Sequence, residues 1–169
     1  MGRRKSSAIR WYVGAGTQTS FTKLCTQVQA VYSASCRREG QGEVVETSVT
    51  FPGLPSSKYR PLVDKYLPLG AGSVFSFDCA GGRDGGQDLI RGVSLWSHLA
   101  NVGDAKSLII HPASTTHRQL GDDELRAAGV GPGTVRLSVG TESVEDLIWD
   151  LRQGFALVAA TAGKKVTAS

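Results

Sequence analysis

From residue 44 onward, apolar and polar positions fall into regular alternations and stripes. Val44-Val45-Glu46-Thr47-Ser48-Val49 reads as a strand, stopped by Pro52-Gly53. Ser56-Ser57 offers a cap for a helix running to Tyr66, with Pro68 and Gly70 beyond it. Gly72 to Cys79 alternates, with Phe75 and Phe77 on one face, and predicts a second strand. A helix is expected from about Asp84 to Leu99, carrying Leu89, Ile90, Val93 and Trp96 on one stripe. Gly85, Gly86 and Gly92 weaken it, each interior glycine costing about 1 kcal/mol against alanine. Ser107 to His111 reads as a third strand, ended by Pro112. Asp122-Asp123-Glu124 suits the first turn of a short helix, and Gly129 its C′ position.

The fourth strand lies in Gly133-Thr134-Val135-Arg136-Leu137-Ser138-Val139-Gly140. Val135, Leu137 and Val139 point one way, and Thr134, Arg136 and Ser138 the other. A last helix runs from about Ser143 to Val158, with Val144, Leu147, Ile148, Leu151 and Phe155 on one face. Residues 163–169 are expected to fray. The sum is an α+β domain over 44–159, a four-stranded, at least partly antiparallel sheet covered by helices.

Composition adds an asymmetry. The 169 residues carry a net charge of +4. Residues 1–38 hold seven Lys/Arg and no acid, while 39–169 hold twelve Lys/Arg against fifteen Asp/Glu. The basic character therefore belongs to the N-terminal stretch, and pI is no argument for nucleic-acid binding by the whole chain. Residues 1–43 show no sustained periodicity, beyond a short element between Phe21 and Tyr32. Three readings of this leader stand: a solvated tail, a transit peptide, or a shifted reading frame or mispredicted start, the last favoured. The domain expectation is thus a leader at 1–43, a folded unit at 44–159 and a frayed tail at 160–169. Cys25, Cys36 and Cys79 are scattered, without Cys-x-x-Cys spacing, which argues against a zinc site or disulfide framework and for a reducing compartment. No apolar run approaches the length of a membrane span.

Arg136 is the sharpest chemical clue. A guanidinium cannot shed its charge, so one fixed on a strand between apolar neighbours calls for an anion. Its planar fork suits bidentate capture of a carboxylate. From residue types alone, an ion pair to an acid such as Glu142 or Asp146 is the favoured reading. His98, His111 and His117 show no metal-ligand spacing and read as structural, and Trp96 and Trp149 as core or interface residues.

Four motifs belong together: Phe51-Pro52-Gly53-Leu54-Pro55-Ser56-Ser57, Ser97 to Ser107 (Ser-His-Leu-Ala-Asn-Val-Gly-Asp-Ala-Lys-Ser), His111-Pro112-Ala113-Ser114-Thr115-Thr116-His117, and Val135 to Glu142. In this order and spacing they resemble the C-terminal domain of the O-acetylhomoserine sulfhydrylases, or aminocarboxypropyltransferases. These are pyridoxal-phosphate-dependent enzymes of cysteine and methionine metabolism, akin to the cystathionine synthases and lyases.

The resemblance implies the small C-terminal domain of a fold-type-I enzyme. It makes Arg136 the fork for the substrate α-carboxylate, places Asn101 where relatives have a carboxylate-binding serine, and puts Thr116 near the same pocket. The implied chemistry is a transferase γ-replacement in methionine and homocysteine biosynthesis, sulfide displacing acetate from O-acetylhomoserine. The cofactor lysine, phosphate loop, stacking aromatic and ring-nitrogen aspartate belong to the family's large domain. Ser20-Phe21-Thr22-Lys23 echoes the family's Ser-x-Thr-Lys, but Leu24-Cys25-Thr26 lacks the glycines that follow, which favours coincidence. The expectation is therefore an inactive fragment that binds no pyridoxal phosphate alone, or a non-catalytic module joining a full-length homologous enzyme. The implied setting is cytoplasmic, or mitochondrial if the leader is a transit peptide, with no nucleic acid or membrane as partner.

Overall fold

A computed structural model describes residues 49–68 and 70–166, with side chains as far as Thr161. The leader, the Ser20–Lys23 motif, Cys25, Cys36 and most of the strand expected at 44–49 lie outside the described residues.

The elements in chain order are β1 (Val49–Thr50), α1 (Arg60–Tyr66), β2 (Val74–Asp78), α2 (Gly82–Gly92), β3 (Ser97–His98), β4 (Leu108–Ile110), a 3₁₀ turn (Pro112–Ser114), α3 (Asp122–Ala127), β5 (Thr134–Ser138) and α4 (Val144–Val166). The strands form one sheet in the order β1-β2-β5-β4-β3. β2 and β4 flank β5 antiparallel, β1 joins β2 antiparallel, and β3 pairs with β4 in parallel. The α+β class holds, with a fifth strand where four were expected.

That strand comes from the stretch expected as the end of a helix. α2 stops at Gly92, and Val93 turns to extended backbone. The buried Asp150 carboxylate on α4 takes the amide hydrogens of Ser94 (3.0 Å), Leu95 (2.7 Å) and Trp96 (3.3 Å). Those donors are thereby withdrawn from a helix, and Ser97-His98 is free to lie along Leu108-Ile109. The apolar stripe nevertheless ends in the core: Leu89 and Trp96 are buried there, and Ile90 and Val93 pack against it.

One face of the sheet is covered by α2 and α4. Phe75, Phe77, Val135, Leu137 and Ile109 meet Leu147, Ile148, Leu151 and Phe155 of α4. The alternation of β5 and the stripe of α4 thus act as expected. The two helices cross closely. A Cβ at Gly92 would stand 2.5 Å from the Gly154 Cα, and one at Gly154 would stand 2.7 Å from a Leu89 methyl. Gly85 and Gly86 are close-packed too, against the Ala80 carbonyl and the His111 ring. The glycines that weaken α2 as an isolated helix are what let it seat here. Gly129, at φ 77°, ends α3 in the left-handed conformation that its C′ position requires. α4 continues through Val166, past the expected end at Val158. Of the two tryptophans expected in core or interface, Trp96 is buried in the core, whereas Trp149 stands 61% exposed on α4.

Candidate functional site

The other face of the sheet carries the polar half of each alternation. Thr50 pairs with Ser76, Ser76 with Arg136, and Arg136 with Ile110, so these four form one row across the sheet. Arg136 stands in its middle, on the strand with neighbours on both sides. Above this row lies a pocket of about 420 Å³, whose walls include Thr50, Ser76, Ala100, Thr116, His117 and Arg136.

Two loops form the rim. The loop from His111 to Gly121 brings Thr116 and His117, with the Thr116 hydroxyl 2.8 Å from the His117 Nδ1. Its root is His111, fully buried. The His111 Nε2 lies 2.8 Å from the Pro132 carbonyl, which places the proton on Nε2, and its Nδ1 lies 2.9 Å from the Ser114 hydroxyl. Burial pushes the imidazole below its ordinary pKa against the opposing pull of the Pro132 carbonyl, and the Arg83 and His98 charges add to the lowering. His111 is therefore a neutral structural ring. Arg83 steadies the same loop, donating to the Ala113 and Leu120 carbonyls (2.6 and 2.5 Å) and to Asp122 (2.8 Å).

The second loop carries Asn101. Its side-chain oxygen accepts the Val102 amide at 2.9 Å, and its amide nitrogen donates to Asp104 at 3.3 Å. Asp104 also accepts from the Lys106 amide, which heads the influences holding its carboxyl below the ordinary value. The Asn101 side chain thus builds a turn, and it is the backbone carbonyl that reaches the site, accepting from Arg136 Nη2 at 3.4 Å. The pocket brings Arg136 and Thr116 together; Asn101 adjoins it through its main chain.

Arg136 has no carboxylate partner among the described residues. The two acids that could have neutralised it are placed differently. Glu142 accepts from the Ser107 amide and hydroxyl, and the Asp146 backbone amide donates to the Ser143 hydroxyl at 3.5 Å at the start of α4. The Arg136 Nε is buried and lacks a hydrogen-bond partner. A buried charged donor left open is costly unless something fills the place. The sequence singled out Arg136 and Thr116, both on the pocket wall, but not His117 as a wall residue or Arg83 as the anchor of its rim loop. Local sequence carries no signal for contacts spanning tens of residues.

Among the described residues no group of His, Cys, Asp or Glu is placed to hold a metal ion, and no helix is long and apolar enough to cross a membrane.

Residues 39–156 match the family model described as Cys/Met metabolism PLP-dependent enzyme. The chain is 47% identical over 108 residues to O-acetyl-L-homoserine sulfhydrylase 1 of Thermus thermophilus, covering 64% of this chain and 26% of that protein. It is 47% identical over 138 residues to homocysteine synthase of Schizosaccharomyces pombe, covering 82% and 32%. That stretch is longer than everything from residue 44 to the C-terminus, so this likeness reaches into the segment read as a leader. Among solved structures, an O-acetylhomoserine (thiol)-lyase from Campylobacter jejuni, carrying N'-pyridoxyl-lysine-5'-monophosphate, superposes with a TM-score of 0.61 at 34% identity, covering 82% of this chain and 31% of that one. Cystathionine gamma synthase from Xanthomonas oryzae pv. oryzae gives 0.59 at 30% identity, covering 85% and 36%. The chain spans about a quarter to a third of the length of these relatives. With the family model matched over more than half its residues, this chain belongs to the Cys/Met metabolism PLP-dependent enzymes.

Proposed function

We propose that this chain supplies the substrate-carboxylate side of an O-acetylhomoserine sulfhydrylase-like transferase, with Arg136 binding the α-carboxylate of an O-acyl amino acid. The observation that carries this is Arg136 on the pocket wall, with no carboxylate partner among the described residues and its Nε unpartnered. A carboxylate there completes the donor set of the guanidinium in a two-point contact. The Thr116 hydroxyl on the pocket wall serves as a further polar contact, and the Asn101 carbonyl orients the fork. Relatives named as sulfhydrylases and homocysteine synthase support homocysteine formation as the reaction served.

Pyridoxal phosphate is the family's cofactor. The described residues lining the pocket include no lysine for a Schiff base and no carboxylate for the ring nitrogen. They do not fit the group by themselves. The role of these residues is to bind and orient the amino acid. α1 buries Val63 and exposes Tyr59, Leu62 and Tyr66, with Leu67 beside them, which suits association with a full-length homologous subunit.

The test is a titration of the full chain with O-acetylhomoserine, read by calorimetry, in the native protein, R136K and R136L. Hydrogen bonds to charged groups contribute about 1.5–3 kcal/mol each. R136L is expected to abolish binding. R136K, which keeps charge but loses the fork, is expected to weaken it at least tenfold. Equal affinity in all three proteins refutes the assignment.

A further inference from the structure

Resting on the reading of Arg136 as the carboxylate site, we infer that Glu142 is a positioning residue for that site, pinning the 101–107 loop over the end of β5 so that the Asn101 carbonyl stays at the guanidinium. Glu142 does not line the pocket. Its carboxylate accepts the Ser107 amide at 2.9 and 3.1 Å and the Ser107 hydroxyl at 2.7 Å. Ser107 is fully buried, and its oxygen in turn accepts the Gly140 amide at 2.8 Å.

The clamp continues along the loop. The Thr141 amide and hydroxyl both donate to the Ala105 carbonyl, at 2.9 and 3.1 Å. The Gly103 amide donates to the buried Ser138 hydroxyl at 3.4 Å. A Cβ at Gly140 would stand 2.3 Å from the Ala105 oxygen, so the loop lies directly on the backbone beyond β5. The far end of this strap is the Asn101 carbonyl, 3.4 Å from Arg136 Nη2.

Glu142 and Arg136 thus sit on one continuous segment and grip the two ends of the same loop. Burial pushes the Glu142 carboxyl up, but the Ser107 amide and hydroxyl outweigh it and hold the carboxyl below its ordinary value. The anion is the form the clamp uses. If the strap loosens, the guanidinium loses the acceptor it has among the described residues, and a two-point contact to a carboxylate requires its plane to be set.

The test uses the full chain labelled with ¹⁵N, titrated with methanesulfonate, an anion that stays ionised near neutral pH. The readout is the Arg136 Nε–H resonance, identified by its loss in R136L. Native protein, E142Q and S107A are compared, with melting temperature measured in parallel. Native protein is expected to show a saturable shift of that resonance. E142Q and S107A are each expected to bind about tenfold more weakly at a temperature where they remain folded. S107A keeps the amide donated to Glu142, so it carries the test if E142Q does not fold. Variants that melt earlier yet bind as tightly as the native protein show the clamp to be structural only and overturn the inference. A native resonance that never responds removes the anion site itself, and is distinguished by appearing before any variant is compared.

Discussion

Asp150 is 1% exposed, yet nothing basic pairs with it among the described residues. Its two oxygens are occupied by the amides of Ser94, Leu95 and Trp96, in the segment that leaves α2 and enters β3. Asp150→Asn keeps the shape and removes one acceptor. The remaining oxygen, at the Oδ2 position, must serve the Ser94, Leu95 and Trp96 amides together, while the new amide group faces the Ser94 N–H and is itself a buried donor without an acceptor. A buried donor left unsatisfied costs about 1–3 kcal/mol, and the surviving bonds lose their charge assistance, worth about half their strength. The expected loss is about 2–4 kcal/mol. Asp146→Asn, one turn earlier on the same helix and exposed, is the control and costs below about 1 kcal/mol, the size of a helix-dipole effect. Urea denaturation of both variants, followed by far-ultraviolet circular dichroism, measures the difference. Tryptophan emission adds a local reading, because the buried Trp96 donates its indole N–H to the Leu147 carbonyl at 3.3 Å and moves with the segment. If the two variants fall within about 0.5 kcal/mol of each other, the typical scatter of surface substitutions, Asp150 is not what holds the end of α2.

Gly92→Ala drives a methyl into the Gly154 backbone and is expected to lower stability by about 1–3 kcal/mol, read as a shift in the urea midpoint; an unchanged midpoint contradicts the close helix crossing. His111 has its folded pKa lowered below the unfolded value of 6.5, so its contribution is full above that pH and is lost as the pH falls below it. His111→Gln should flatten the decline of stability from neutrality into the acid range, and parallel declines in both proteins would rule His111 out as its source. Treatment of the full chain with pyridoxal phosphate and borohydride should leave no lysine stoichiometrically labelled; a single labelled lysine in the mass spectrum reverses that reading. Mixed with a full-length sulfhydrylase, the chain is expected to co-elute as a mixed oligomer, and Leu62→Asp with Tyr66→Asp should abolish this; co-elution unaffected by the two changes excludes the α1 surface.

The alternation through Val135, Leu137 and Val139 and the stripe through Leu147, Leu151 and Phe155 were legible in the sequence, because both are local periodicities set by backbone geometry. So was Arg136 as a strand-borne charge calling for an anion, although residue types alone pointed to Glu142 or Asp146, which the structure places elsewhere. The motifs around it sufficed to place the chain in its family. The end of α2 was not legible. A stripe through Leu89, Val93 and Trp96 continues as a helix until an acid more than fifty residues away claims the amides of Ser94 to Trp96. The resemblance put Thr116 near the pocket of Arg136, but the tertiary structure alone decided that Asn101 meets the guanidinium through its backbone carbonyl. Periodicity reports which face a residue takes, but which distant donor meets which acceptor depends on how the elements pack.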